Sequence, residues 1–422
     1  MPRLPPDVLE RILESTRDED DLFPVVTPYL SASSLVCKDW RPVAQSLLFK
    51  KLDFPVSKPL SRVLAFLKAA PHISTYVRTL RIWRFEHDRK HQNCGIEPHI
   101  LHKLLVALPK LQELDLFRVV LLGWKNTVPF PVVPVKLRSL VLTDLVINFL
   151  ATRSATKAFD FLRLFHARKM RVEGGELPWS YSNPYPAVGR ILAVPGASLP
   201  TVQELSVFGE SLFIELNDSH GGLNPTQLSS FSMEPTEGKQ LPLYGRFIRR
   251  YSETIRHLSF HMGWVLYRMD DTAIAEVQWG DLNVASCTQL QSLRLHWTHD
   301  NYHSGEEQDT PLREAYRAII SSTLAPLREL SLVVGLGRMQ ASAESFAELA
   351  PYVAAVLVHG AETFNDLESV TLEISEYLDL EKSTSVMKTL LPEHFLDRQL
   401  LHFKAHPELF FNPYLLILIY LE

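Results

Sequence analysis

"LQELDL" occupies residues 111–116, with Leu111, Leu114 and Leu116 at i, i+3 and i+5. The alternation Leu114–Asp115–Leu116 is that of a strand with one buried face. The same template fits "LRSLVL" from Leu137, "VQELSV" from Val202, "IRHLSF" from Ile255, "LQSLRL" from Leu290, "LRELSL" from Leu327 and "LESVTL" from Leu367. Looser matches are "FKKLDF" from Phe49, "VRTLRI" from Val77, "ARKMRV" from Ala167, "LSSFSM" from Leu228, and "LHFKA", where Leu400, Phe403 and Ala405 fit. The central positions are then 52, 80, 114, 140, 170, 205, 231, 258, 293, 330, 370 and 403, at spacings of 26 to 40. One such hexapeptide is a weak signal; twelve make an internal repeat.

Helical patterns lie between these strands. "PLSRVLAFLKAA" (Pro59–Ala70) places Leu60, Val63, Leu64 and Leu67 on one face. "PHILHKLLVAL" (Pro98–Leu108) opens on a proline, which a first helical turn tolerates. "PLREAYRAIISSTL" (Pro311–Leu324) and "SFAELAPYVAAVLVHG" (Ser345–Gly360) follow suit, with a kink expected at Pro351. A strand and a helix repeated a dozen times cannot bury each apolar face alone, whereas stacking the units does. The alternative is an ordinary doubly wound α/β domain.

The repeat resembles a leucine-rich-repeat array of the strand-and-helix kind, covering residues 51–422. That resemblance implies an α/β solenoid with a curved parallel sheet on its concave face. The family places Asn or Cys three residues beyond the last apolar position, to bond loop backbone in a ladder. Here Phe85, Val119, Leu145, Glu210, Gly263, Thr298, Gly335 and Ser375 stand there. The repeats are therefore expected to be irregular. "GGELPWSYSNPYPAVG" (Gly174–Gly189) and "HDNYHSGEEQDT" (His299–Thr310) are expected as loops.

Residues 1–50 differ from the rest. "LPPDVLERILEST" begins a helix with Pro6 in its first turn and Leu9, Ile12 and Leu13 as its stripe. Pro24 and Pro28 interrupt the next segment. Leu35, Val36, Trp40, Val43, Ala44, Leu47 and Leu48 then recur at helical steps, and Pro42 requires a fresh start, with Asp39 as cap. This segment closely resembles an F-box: Leu4, Pro5, Val8, Leu9 and Ile12, then Leu35, Val36, Cys37, Lys38 and Trp40 as the Leu-Val-Cys-Lys-x-Trp signature. The resemblance implies docking of Leu4, Pro5, Val8, Leu9, Ile12, Leu35, Val36 and Trp40 onto the Skp-type adaptor of a cullin–RING ubiquitin ligase. The array would then hold an unknown protein substrate. An adaptor-binding unit presents Pro5, Leu9 and Ile12 outward; a mere cap on a solenoid, the competing reading, buries them. Cys37 is expected inside a helix and buried.

The net charge of −5 and the short basic run Arg246–Arg250, expected as the wet face of a helix, argue against a nucleic-acid binder. Three cysteines, Cys37, Cys94 and Cys287, suit a reducing, cytoplasmic or nuclear setting. No secretory pattern is expected at the N-terminus, and the apolar run Tyr414–Leu421 is too short to span a membrane, so no membrane is expected as partner. His296, His299 and His303, or His87, His91 and Cys94, fall short of a metal set. "GLG" at Gly335–Gly337 lacks the rest of a dinucleotide motif. No nucleophile elbow, phosphate loop or HExxH motif occurs, so neither cofactor nor catalytic residue is assigned. Candidate binding residues are the outward strand positions, chiefly Arg81, Trp83, Asp115, Phe117, Arg171, Phe208, His261, Arg294 and His296. Aromatic rings and arginines are over-represented at binding hot spots.

Overall fold

A computed structural model describes residues 5–15, 28–56, 59–84, 95–121, 133–144, 146–147, 161–174, 200–209, 214, 223–224, 226–235, 238–262, 278–299, 306–336, 343–375, 380–393 and 401–406. The chain is mixed α/β and divides into two compact units. Met1–Val202 with Ser219–Asn224 form the first, and Gln203–Asp218 with Pro225–Glu422 the second. Residues 1–50 belong to the first unit.

Helices α1 (Pro6–Ser15), α2 (Pro28–Val36) and α3 (Trp40–Leu48) open the first unit. The break between α2 and α3 falls where Pro42 demands it, leaving that proline in the first turn of α3. Asp39 occupies the cap position, but its side chain makes no capping hydrogen bond. Pro28 starts α2 rather than interrupting it.

Five parallel strands follow in sheet order: β1 (Lys51–Pro55), β2 (Thr79–Trp83), β4 (Glu113–Phe117), β6 (Val135–Thr143) and β8 (Phe165–Glu173). Their register aligns Leu52, Leu80, Leu114, Leu140 and Met170 in one row, and Phe54, Ile82, Leu116, Leu142 and Val172 in another. Those from Leu80 and Ile82 onward are buried, so the expected register holds. Two-residue strands β3 (Gly95–Ile96), β5 (Val120–Leu121) and β7 (Val146–Ile147) form a second, three-stranded parallel sheet. Helices α4 (Leu60–Ala69), α5 (Pro71–Ser74) and α6 (Pro98–Val106) carry the chain back between strands, as parallel pairing requires.

The second unit repeats the scheme with β9 (Val202–Phe208), β10 (Ser230–Glu234), β11 (His257–His261), β12 (Ser292–His299), β13 (Glu329–Leu336), β14 (Ser369–Ser375) and β15 (Leu401–His406), again parallel and in chain order. Its returning helices are α7 (Leu241–Tyr251), α8 (Glu306–Ser322), α9 (Ala343–Thr363) and α10 (Leu380–Leu390). Helix α7 packs Phe247 against Phe231 and Tyr251, with ring centroids 4.7 and 4.6 Å apart. Its Arg246, Arg249 and Arg250 are exposed, the wet face expected of that run.

Two expectations need correction. Leu401, not Phe403, pairs with Val370, and Phe403 pairs with Leu372. A two-residue slip leaves every side chain on the same face, so apolar alternation cannot detect it. Residues 299–310 are not one loop: His299 ends β12 and Glu306 begins α8. Helix α9 runs from Ala343 to Thr363 with Pro351 inside it and exposed. Of the segment 174–189 only Gly174 is described, and Tyr414–Leu421 lies outside the described residues.

Main-chain hydrogen bonds link neighbouring strands at their entries and exits. Thr79 and Arg78 both donate to the Lys50 carbonyl, Gln112 and Glu113 to Arg78, and Arg138 and Ser139 to Gln112. In the second unit Ser229, Arg256, Gln291 and Arg328 accept in the same way. At the strand exits, Val56 donates to Trp83, Arg84 to Phe117, Arg118 to Thr143, Asp144 to Glu173 and Gly209 to Glu234. Arg118, Asp144, Gly174 and Gly209, each directly after a strand, have φ of 55°, 48°, 60° and 76°. Arg118, Asp144 and Gly209 are also donors of these strand-exit bonds, and the left-handed conformation carries some steric cost for the two residues other than glycine. Val119, two residues after β4, is buried.

Candidate functional site: a helical surface and the outward strand face

The three N-terminal helices share a small core of Leu9, Leu13, Leu30, Ala44 and Leu47, against which Trp40, Val43 and Leu48 are partly buried. Helix α1 therefore turns Leu9 and Leu13 inward, leaving Val8 and Ile12 on its other flank, 38% and 44% exposed. At the end of α2, Leu35 and Val36 are 77% and 63% exposed, and Pro5 is exposed as well. The residues expected to act together thus separate by role. Pro5, Val8, Ile12, Leu35 and Val36 face outward, Leu9 is core rather than surface, and Trp40 sits between. Leu4 lies outside the described residues. Cys37 is exposed between α2 and α3, not buried in a helix as expected, because α2 ends at Val36. The Arg41 N–H donates to its carbonyl at 3.2 Å. Other large apolar side chains are exposed among the described residues, at Phe66, Val106, Val133, Leu324 and Leu390, whereas those of α1 and α2 fall within one small helical unit.

On the outward strand face of the first unit, Arg81 Nε lies 3.2 Å from Asp115 Oδ2. The Arg81 guanidinium also lies over the Phe117 ring, 5.5 Å from its centroid, and Arg118 covers the same ring at 5.2 Å. Arg118 in turn bonds Asp144 at 3.1 Å, and Arg171 pairs with Glu173, which accepts from Thr143 Oγ1 at 3.2 Å. Burial raises the Asp115 pKa above the usual aspartate value, opposed by the charges of Arg81 and Lys51. Trp83 is half-buried at the end of β2.

In the second unit, Phe208 meets the His261 ring edge-on at 5.1 Å, and His261 stacks on His296 with centroids 3.4 Å apart and planes 17° from parallel. Ser259 Oγ lies 3.0 Å from His296 Nε2, and the Tyr316 hydroxyl donates to the His296 carbonyl. His296 is buried, not outward and open. Arg294 reaches past β13 to Glu373 on β14, at 2.5 Å.

Arg81, Arg171 and Arg294, expected to lend their charge to a partner, thus each hold an acid of the chain itself. The candidate rings Phe117 and Phe208 rest against internal partners. Sequence reading missed Arg118, Asp144, Ser259 and Tyr316, whose roles depend on pairs distant in the chain. Among the described residues, no three His, Cys, Asp or Glu side chains converge on a point that could hold a metal ion, and no helix is long and apolar enough to cross a membrane. Compared with known proteins, the chain matches no protein-family model and no curated protein.

Proposed function

We propose that the chain is a non-enzymatic substrate-recognition adaptor of a cullin–RING ubiquitin ligase. Residues 1–50 act as an F-box that docks on a Skp-type adaptor in the cytoplasm or nucleus. The rest forms an irregular leucine-rich-repeat solenoid that holds a protein substrate. The observation that carries the reading is the exposure of Val8, Ile12, Leu35 and Val36 beside a closed three-helix core. Each of these belongs to the resemblance; of the three residues that separate an adaptor-binding unit from a cap, Pro5 and Ile12 are exposed and Leu9 is buried. The ladder of strand-entry hydrogen bonds, repeated from Lys50 to Arg328, supports the repeat reading.

The test is co-purification of a Skp-type adaptor with the full chain and with a Val8→Asp, Leu35→Asp variant. Truncating a central apolar contact costs about 2 kcal/mol or more, roughly 30-fold in affinity. The variant should lose the adaptor while keeping its thermal unfolding profile. Leu9→Ala cannot serve here, because it opens the helical core. If wild-type chain retains no adaptor, or the folded variant retains it fully, the helices are a cap and the chain an interaction scaffold outside the ligase system.

A further inference from the structure

The main-chain ladder at the strand entries has a charged edge in the first unit. Lys50, Arg78, Gln112, Arg138 and Arg168 stand one step before the pairs Lys51–Thr79–Glu113–Ser139–Lys169, so they form a single row across five strands. Four of the five are cationic, and all are exposed except the half-exposed Arg78. Strands in a sheet lie about 4.8 Å apart, which sets the length of the row at about 19 Å. Lys110, Lys136 and Lys169 flank it and are exposed. Over the three positions before each centre, these five strands carry six cations and one acid, Glu113. Glu113 is half-buried and accepts from Thr79 Oγ1 at 3.2 Å. The same three positions of β9 to β14 carry two cations and three acids, with Arg328 paired to Glu368 at 3.5 Å. The positive rim is therefore a property of the first unit, not of the repeat, in a chain whose net charge is −5.

The chemistry the rim offers is narrow. The carbonyls of Lys50, Arg78 and Gln112 each already accept two main-chain N–H groups. The exposed groups that a ligand would meet are guanidinium and ammonium donors, of which Lys51 lies 3.9 Å from Asp53 Oδ2. Arg78 is held in place by donating Nη1 to the Lys110 carbonyl at 3.2 Å. The potential is felt nearby: the His166 pKa is lowered by burial and, after that, by the charge of Lys136. A fitting ligand brings closely spaced anionic acceptors. An extended chain rises about 3.4 Å per residue, so roughly six residues span the row. A nucleic acid fits less well. The only ring among these positions is Phe49, which lies 6.4 Å from Phe66 and offers no stacking platform to successive bases. The overall negative charge also opposes a long polyanion.

We propose that this rim, centred on Arg78, Arg138 and Arg168, docks an extended Asp/Glu-rich segment of a partner protein. The proposal stands whether or not the chain serves a ubiquitin ligase. On that reading it names the substrate class, and the test needs no adaptor, so the two can fail separately. Full-length chain is titrated into a labelled decapeptide of alternating Asp and Glu, followed by fluorescence anisotropy at low and physiological salt. Binding that weakens with salt is expected, and none to the matching Asn/Gln peptide. Arg78→Gln, Arg138→Gln, Arg168→Gln together should weaken binding at least tenfold, while Arg256→Gln with Arg328→Gln in the second unit should not. Should the triple variant unfold, Lys110→Gln with Lys136→Gln, both exposed lysines, should give a smaller loss of the same sign. Unchanged binding by a folded rim variant overturns the site. Tighter binding of a single-stranded decathymidine, lost in the same variant, overturns the peptide and makes the rim a nucleic-acid surface.

Discussion

A methyl group added at Gly245 tests how the second unit is held together. Gly245 is buried in α7, and a Cβ built there would stand 1.7 Å from the Asp281 carbonyl oxygen. The closest favourable carbon–oxygen contacts are about 3.3 Å, so helix and turn must part by roughly 1.6 Å. The turn at 279–282 cannot retreat freely, since Leu282, Val284 and Cys287 beside it are buried. Overpacking of this kind costs about 3 kcal/mol. Replacing glycine inside a helix returns about 1 kcal/mol. Gly245→Ala should therefore destabilise the protein by about 2 kcal/mol, a fall in Tm of roughly 4–8 °C for a unit of this size. Gly280, one residue before Asp281, has nothing within 4 Å of its added Cβ and provides the control. Urea unfolding and circular-dichroism melts of both alanine variants decide the matter. If Gly245→Ala lies within about 0.5 kcal/mol of wild type, the range of ordinary surface changes, the close approach of α7 to this turn is wrong.

Two further expectations follow from burial. The Asp115 carboxyl is raised by desolvation above its unfolded value of 3.8, so the folded state holds a proton that the unfolded state releases. Its contribution is full below pH 3.8 and is lost as pH rises through the folded pKa. Asp115→Asn should therefore gain stability relative to wild type as pH rises above 3.8, measured by urea unfolding in steps from pH 4 to 7; a gap constant with pH would refute it. In a Cys94→Ser protein, exposed Cys37 should react with a thiol reagent at pH 8, while Cys287, buried and pushed up to about 11, reacts only on unfolding. Two equally fast thiols in the native protein would contradict the burial of Cys287.

Legibility in the sequence tracked the range of the interaction. Strand positions such as Leu114 and Leu140 could be read because alternation is local and the template recurs. The pairing of Leu401 could not, since Leu401, Phe403 and Ala405 share a face. Nor could the inward turn of Leu9: Leu9, Ile12 and Leu13 form one stripe, and only the packing of α1 on α3 decides which flank meets the core. The strand exits were hidden for another reason. Glycine marks the left-handed turn at Gly174 and Gly209, but Arg118 and Asp144 adopt it without that signal and bond each other across adjacent repeats.

The ion pairs of the outward face bear on where a partner would be read. Arg294 and Glu373 are 79 residues apart in sequence and meet only because the register places Ser331 opposite both Arg294 and Thr371, a small side chain under the crossing. A charge committed to such a pair must be taken from its partner before it can serve a ligand, and a half-buried acid left behind costs more than an exposed contact returns. Arg81 with Asp115 and Arg171 with Glu173 are committed in the same way. The face is therefore suited to holding neighbouring repeats in register. The strand-entry rim carries six cations and one acid over the three positions before each strand centre, with Lys51 3.9 Å from Asp53, so what it would offer an anionic partner is an excess of exposed positive charge.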